Sequence, residues 1–443
     1  MRRIFIIVII IFGFLMSACG NGVLPVQKIQ PTITDTQQST KPSEQAYEQS
    51  QKPPYEFYDL AVKECVEKYF DKSADEFTKE DFDTLAKLIS FNFDSYGKQI
   101  TTLCDLPKLF PNIKYIEISY FMQGARLSEA DCRILEEMKS LCAVNLNLEE
   151  LPSLDFTKKL PYVSLRYTEE VYQSDKNNLA DVSVLGRNFI ETYVSGQLTE
   201  YVKVVDGERV YELIVTDNEI IGTDVLMDQC YETKVFISEM RNNEYHFLDV
   251  INMTNRIVNA SGGLILADAN FDGQKDILVL QGHFGAQYAA VYDCFLSDDG
   301  TYKLNESFSK ISNPALDYQN KQVLSTWRNW AASHSWAMLS YIDGEFVKTD
   351  SLTQEPEETG DDYNETDWMH LVERFDGKNV ESQTYLKRDY SGEEWSAIFY
   401  DENSFWGLRS NKWRTLFNQG SIIDWSLYGS GVDAQIMEII EGW

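Results

Sequence analysis

Little in this chain suits thiol, imidazole or phosphate chemistry. It has four histidines and seven cysteines in 443 residues. His246, His283, His334 and His370 are scattered, and none sits in an HExxH or Ser/His/Asp setting. The "QGHFG" stretch around His283 reads as a turn, with the lining of a pocket as the alternative. Cys65, Cys104, Cys132, Cys142, Cys230 and Cys294 form no CxxC pair and no Cys/His cluster, so a zinc site of ordinary spacing is excluded. They are too sparse for a disulfide framework and read as small buried thiols. No G-x-S-x-G, Walker or dinucleotide fingerprint is present. Carboxylate pairs such as Glu393 with Glu394, or Asp361 with Asp362, are unavoidable in a chain with 70 acidic residues, so they carry no glycosidase signal. The expectation is a protein that is no enzyme, with a glycan-acting hydrolase as the most distant alternative. Positive charge is also scarce: 39 basic residues give a net charge of −31. Nucleic acid and anionic lipid are therefore poor partners, whereas cations, basic proteins and neutral glycans remain open.

Long apolar runs are missing as well, with one exception at the start, "MRRIFIIVIIIFGFLMSACG". Two arginines, an apolar run too short to span a bilayer comfortably, and small residues before Cys19 make a secretory signal over residues 1–19. The "MSAC" resembles a bacterial lipobox, with Met16 where Leu is usual. That resemblance implies a lipidated Cys19 and a chain anchored on the extracytoplasmic face of the cell membrane. An uncleaved anchor is the plain alternative. Residues 20–55 are rich in Gln, Ser, Thr and Pro and nearly free of large apolar side chains, the composition of a disordered tether.

Residues 56–195 carry a spacing that recurs. "LAKLISFNF" from Leu85, "FPNIKYIEI" from Phe110 and "MKSLCAVNL" from Met138 are each apolar at i, i+3, i+6 and i+8. A shorter copy, "LPYVSLRY", starts at Leu160. This resembles leucine-rich repeats, without their consensus Asn, and implies an α/β region whose strands stack into one core. A plain α/β domain is the alternative. Ser128 followed by Asp131 reads as a capping box opening a helix over Ser128 to Ser140.

From residue 196 the pattern changes to short alternating runs divided by Asp-Gly turns at Asp206, Asp272, Asp299, Asp343 and Asp376. A mainly antiparallel β domain, a sandwich or a propeller-like array, is expected over 196–350. An acidic loop and a C-terminal β extension are expected over 351–443. The fold class is thus α+β and multidomain.

The most informative stretch is "LILADANFDGQKDILVLQG", Leu264 to Gly282. Its D-x-N-x-D-G-x-x-D spacing offers side-chain oxygens from Asp268, Asn270, Asp272 and Asp276 and the carbonyl of Gln274. That donor set suits calcium, which takes roughly six to eight oxygen ligands. Val279 stands where an EF-hand has its bidentate Glu, so the pattern is strand, loop, strand, with affinity expected on the order of 10⁻⁴–10⁻³ M. The alternative is a bare hairpin of Asx-turns around Asp272-Gly273. Phe271 is expected to point away and anchor the loop. From Thr233 to Lys348 the chain resembles bacterial envelope proteins with FG-GAP or VCBS-like calcium loops. The match rests on this loop, Gly282 to Gly285, Tyr292 to Phe295, and Phe308 to Pro314. The resemblance implies structural calcium and, for some relatives, inhibition of lysozyme-like peptidoglycan hydrolases. Trp327, Trp330 and Trp336, with Trp395, Trp406, Trp413 and Trp425 further on, either pack in the core or form an aromatic surface for a protein or a cell-wall glycan. Together these features predict a lipid-anchored binding protein, with a hydrolase inhibitor as the second reading.

Overall fold

A computed structural model describes residues 55–93, 98–118, 125–150, 155–167, 179–196, 198–219, 231–253, 263–284, 289–330, 333–356, 368–388 and 432–442. The expected signal, Cys19, the tether, Cys230, Asp361, Asp362, Glu393, Glu394 and Trp395 to Trp425 lie outside these residues.

The recurring apolar spacing becomes a parallel ladder. Strands β1 (Ser90–Phe93), β2 (Tyr115–Ile118), β4 (Ala143–Glu150) and β5 (Tyr162–Tyr167) lie in sequence order, with the short β3 (Ala125–Arg126) beside β4. Phe91, Ile116, Val144 and Val163 are register partners in one row; Phe93, Ile118, Leu146 and Leu165 make the next. All eight are buried, together with Leu85, Phe110, Met138 and Leu160 from the start of each copy. Helices α1 (Leu60–Phe70) and α2 (Lys79–Leu85) precede β1, α3 (Leu106–Leu109) connects β1 to β2, and α4 (Glu129–Glu137) connects β3 to β4. α4 opens on the expected capping box: the Asp131 N–H donates to Ser128 Oγ at 3.3 Å, and the Ser128 N–H donates to Asp131 Oδ2 at 2.8 Å.

Buried aspartates stitch these turns together. Asp59 caps α1 by accepting from the Ala61 and Val62 N–H groups, and its other oxygen takes the Thr101 N–H at 2.8 Å. Asp105 accepts the Tyr58 and Asp59 N–H groups, while Asp131 accepts the Leu103 N–H at 2.7 Å and the Thr102 hydroxyl at 2.9 Å. These donors supply the hydrogen bonds that a buried carboxylate needs. Cys65, Cys132, Cys142 and Cys294 are buried as expected; Cys104 is exposed, since it sits on the turn leading into α3.

The ladder does not stop at residue 195. β5 pairs antiparallel with β6 (Leu198–Asp206), and the same sheet continues through β7 (Arg209–Glu219), β8 (Tyr231–Arg241) and β9 (Glu244–Met253). The expected boundary between 195 and 196 therefore falls between two hydrogen-bonded strands. The short helix α5 (Arg187–Ile190) lies in that connection. A second sheet contains β10 (Leu264–Ala267), β11 (Asp276–Phe284), β12 (Ala289–Asp298) and β13 (Thr301–Leu304). A third contains β14 (Ala315–Asp317), β15 (Gln322–Trp330), β16 (Ser333–Ile342), β17 (Glu345–Pro356), β18 (Trp368–Asp376) and β19 (Asn379–Arg388). Large antiparallel sheets thus dominate. The five Asp-Gly pairs all turn the chain, with Gly207, Gly273, Gly300, Gly344 and Gly377 at positive φ. Asp299 and Asp343 also have positive φ, so the turns after β12 and β16 have both central residues left-handed, which suits the twist of a tight hairpin.

Alternation along these strands feeds three cores. Tyr201 on β6 and Ile214 on β7 join the core beneath the ladder, whereas their neighbours Val202 and Leu213 face Leu264, Leu266, Ile277 and Val279 of the second sheet. Ile265, Leu278 and Leu280 point the other way, toward Phe308, Val323 and Phe346. Strands covered on both faces read as nearly continuous apolar runs, as "DILVLQG" does.

Within the span expected to hold an acidic loop and a β extension, β17 runs through residue 351, where the loop was expected to begin, β18 and β19 are strands, and α6 (Val432–Gly442) is a helix. Ile436 and Ile440, one turn apart, are buried in the core between the first and second sheets. Gln435 beside them acts as a surrogate strand: its side chain accepts the Leu266 N–H at 2.7 Å and donates to the Leu264 carbonyl at 3.1 Å.

Candidate metal loop

β10 and β11 pair up to Ala267 and Asp276, which are register partners, and the loop between them holds the predicted donors. Two residues bend it. Gly273 has φ 92°, which a glycine adopts without penalty, and Phe271 has φ 63°, which a bulky side chain adopts at a cost. Phe271 is compensated by packing, partly buried against the core between the second and third sheets, with its ring 5.7 Å from that of Tyr318. This is the anchor the sequence suggested.

The oxygens of the loop turn inward. Asp268 accepts the Asp272 N–H at 2.9 Å on one oxygen and the Gly273 N–H at 2.8 Å on the other. Asn270 Oδ1 accepts the same Asp272 N–H at 3.1 Å, and its amide donates to Asp272 Oδ2 at 2.9 Å. Asp272 Oδ1 accepts the Gln274 N–H at 2.8 Å. Asp268, Asn270 and Asp272 are thus gathered on one side of the bend. Gln274 is placed by a 3.3 Å hydrogen bond from Ser297 Oγ to its side-chain oxygen.

Asp276 lies beneath them and differs from the others. It is fully buried, and its two oxygens accept the Ala269 and Ser297 N–H groups at 2.8 Å each. Burial pushes its pKa up to about 6 against the pull of those amides, and the charge of Asp272 adds to the rise. Lys275, the nearest cation in sequence, reaches away to Asp206 at 3.3 Å and Glu438 at 2.9 Å. Among the described residues, no ion pair neutralises Asp268, Asp272 or Asp276, and no three Asp, Glu, His or Cys side chains form a ready-made metal cage. The hydrogen bonds alone are those of nested Asx-turns.

The donor set nonetheless fits a hard divalent cation: three carboxylates, an amide oxygen and a backbone carbonyl, with no nitrogen or sulfur ligand. The buried, charge-strained Asp276 is the group such an ion would relieve most. Ser297 was not foreseen as a support; besides its hydroxyl on Gln274, it gives Asp276 a backbone amide from β12, which no residue type announces.

Other predicted residues are dispersed. His283 lies within β11 opposite Ala290, in a strand and not in a turn. Trp327 and Trp336 are half-buried and belong to opposite faces of the third sheet, because Trp336 is the register partner of Thr326. They form no single aromatic row.

No family model matches the chain, and no curated protein matches it. One solved structure, described as a Xanthomonas Type IV Secretion System related protein, is similar at 18% identity with a TM-score of 0.30. The match covers 42% of this chain and 92% of that one. A likeness of that size carries no argument about function.

Proposed function

We propose that this is an extracytoplasmic binding protein, held to the cell membrane through a lipidated Cys19, that recognises a protein or a glycan. In this reading a calcium ion is held by Asp268, Asn270, Asp272, Asp276 and the Gln274 carbonyl of an FG-GAP or VCBS-like loop. The observation that carries it is the inward-turned cluster of acidic loop oxygens above a buried, un-neutralised Asp276. Calcium would supply the missing positive charge and staple β10 to β11, while Asp268 and Asp272 continue to order the loop amides. The parallel ladder of β1, β2, β4 and β5 supports a leucine-rich-repeat-like scaffold, and stacked repeats suit extended recognition surfaces. Calorimetric titration with calcium, and thermal melting with and without chelator, test the metal. Binding that is lost in Asp272→Ala is expected. Identical affinity and melting in that variant would remove calcium from the reading.

The net charge of −31 favours a second reading, inhibition of a basic, lysozyme-like peptidoglycan hydrolase. Slowed turnover of such hydrolases by the full chain, relieved by salt, is its expected signature; no effect across several of them would dismiss it.

A further inference from the structure

The third sheet meets the second along a cleft of about 720 Å³, within the size range of small-ligand sites. Phe346 and Ala337 are buried in its floor, and the indole of Trp327 stands half-buried in its wall. Lys310, Lys348 and Lys378 line it. In a chain with nearly two acids for every base, the lining of this cleft carries three lysines against two glutamates, Glu306 and Glu345, so the local balance is positive. Lys348 is held in place: its ammonium lies 5.5 Å from the Trp327 ring centroid and 5.1 Å from that of Phe375. Neither Lys348 nor the exposed Lys310 has a carboxylate partner among the described residues. Lys378 pairs with Glu345 at 3.5 Å, both well exposed, so a competing anion can replace that rim contact at little cost.

We propose that this cleft binds a saccharide bearing carboxylate groups, which deepens the reading of the chain as a binding protein and rests on it. The indole offers a flat face for a sugar ring, and the ammoniums offer charge-assisted hydrogen bonds to carboxylates. An extended acidic peptide is served less well. β16, whose Ala337 and Leu339 line the cleft, is paired with β15 on one side and β17 on the other along its length, so it offers no free edge for peptide addition. The overall negative charge does not forbid an anion here, because screening over about 8 Å at physiological salt leaves the nearest lysines to set the potential.

The test is calorimetric titration of the full chain with trigalacturonic acid, a neutral galactose trisaccharide and hexaglutamate. Variants are Lys348→Met, which removes the charge and keeps an unbranched side chain, and the exposed Lys310→Ser. Lys303→Ser is the control, since Lys303 pairs with Asp298 outside the cleft. Trigalacturonate is expected to bind, to weaken about tenfold or more in each cleft variant, and to bind Lys303→Ser as it binds the parent. Should Lys348→Met lose its near-ultraviolet circular dichroism, Lys310→Ser decides. Absence of binding, indifference to both variants, equal binding of the neutral trisaccharide, or equal binding of hexaglutamate would each overturn the assignment. Any of these leaves the calcium titration and the hydrolase assay standing, and failure of those leaves this result standing.

Discussion

Glu212→Gln is expected to destabilise the fold severely, although it changes one atom type. Lys203 on β6 and Glu212 on β7 are register partners, and both are almost wholly buried. The carboxylate accepts the Tyr201 hydroxyl at 2.6 Å, the Ser183 hydroxyl at 3.0 Å and the Val184 N–H at 2.9 Å; the Lys203 ammonium donates to the Thr157 carbonyl at 2.6 Å. Burial lowers the Lys203 pKa to about 8 while the charge of Glu212 holds it up. Burial raises that of Glu212 against the pull of Tyr201, Val184, Lys203 and Ser183. An amide can still accept from Tyr201, but it leaves Lys203 as an uncompensated buried cation. Breaking a buried pair from one side costs about 3–5 kcal/mol. The native state sheds the Lys203 proton before the unfolded chain does, so between about pH 8 and the unfolded value stability rises with pH. Raising the pH therefore shrinks the penalty of Glu212→Gln, because the stranded lysine becomes neutral. Urea unfolding followed by near-ultraviolet circular dichroism at pH 7 and pH 9.5 reads both effects. A cost under about 1 kcal/mol, or one that does not change with pH, would refute the reasoning. The double variant Lys203→Met with Glu212→Leu should recover much of the loss, since a buried pair is replaceable by apolar side chains of similar volume.

Asp131→Ala strips the cap of α4 together with the acceptor for Leu103 and Thr102, and should cost about 2–4 kcal/mol by thermal or urea unfolding. Burial opposes ionisation of Asp131, yet the donors from Leu103, Ser128 and Thr102 prevail and hold its pKa below the usual carboxylate value. Its stabilising contribution is therefore present above the unfolded pKa and lost as pH falls through the folded one, so the variant should show a shallower acid-unfolding slope below about pH 4. Gln435→Ala leaves the Leu266 N–H and the Leu264 carbonyl unpaired and should cost about 2–5 kcal/mol, with faster hydrogen exchange at Leu266; unchanged exchange there would deny the strand-capping role.

What could be read beforehand was what repeats or punctuates. The spacing from Leu85, Phe110, Met138 and Leu160 foretold rows that are in fact adjacent, because apolar side chains at a fixed offset have to stack to be buried. The Asp-Gly pairs foretold the turns, because few residues accept a left-handed backbone cheaply. The loop from Asp268 was legible as a set of oxygens. The direction those oxygens face was not, since amides within the loop compete for the same lone pairs. Long-range partners were the least accessible. Nothing in Leu198 to Asp206 says that it will pair with Tyr162 to Tyr167 instead of starting a sheet of its own, and the cleft at Trp327 draws its lysines from Lys310, Lys348 and Lys378, far apart in sequence. The helix over Val432–Gly442 was not foreseen, because two isoleucines one turn apart are a weak signal until the sheets they fill between are known.

The placement of Ile436 and Ile440 bears on the order of events in a newly made chain. The first and second sheets close on side chains that arrive at the ribosome more than 150 residues after Leu264 has been added. Until then the edge of β10 stands open, and the earlier strands have to wait, half-covered, for the helix that carries Gln435, Ile436 and Ile440 to seal them.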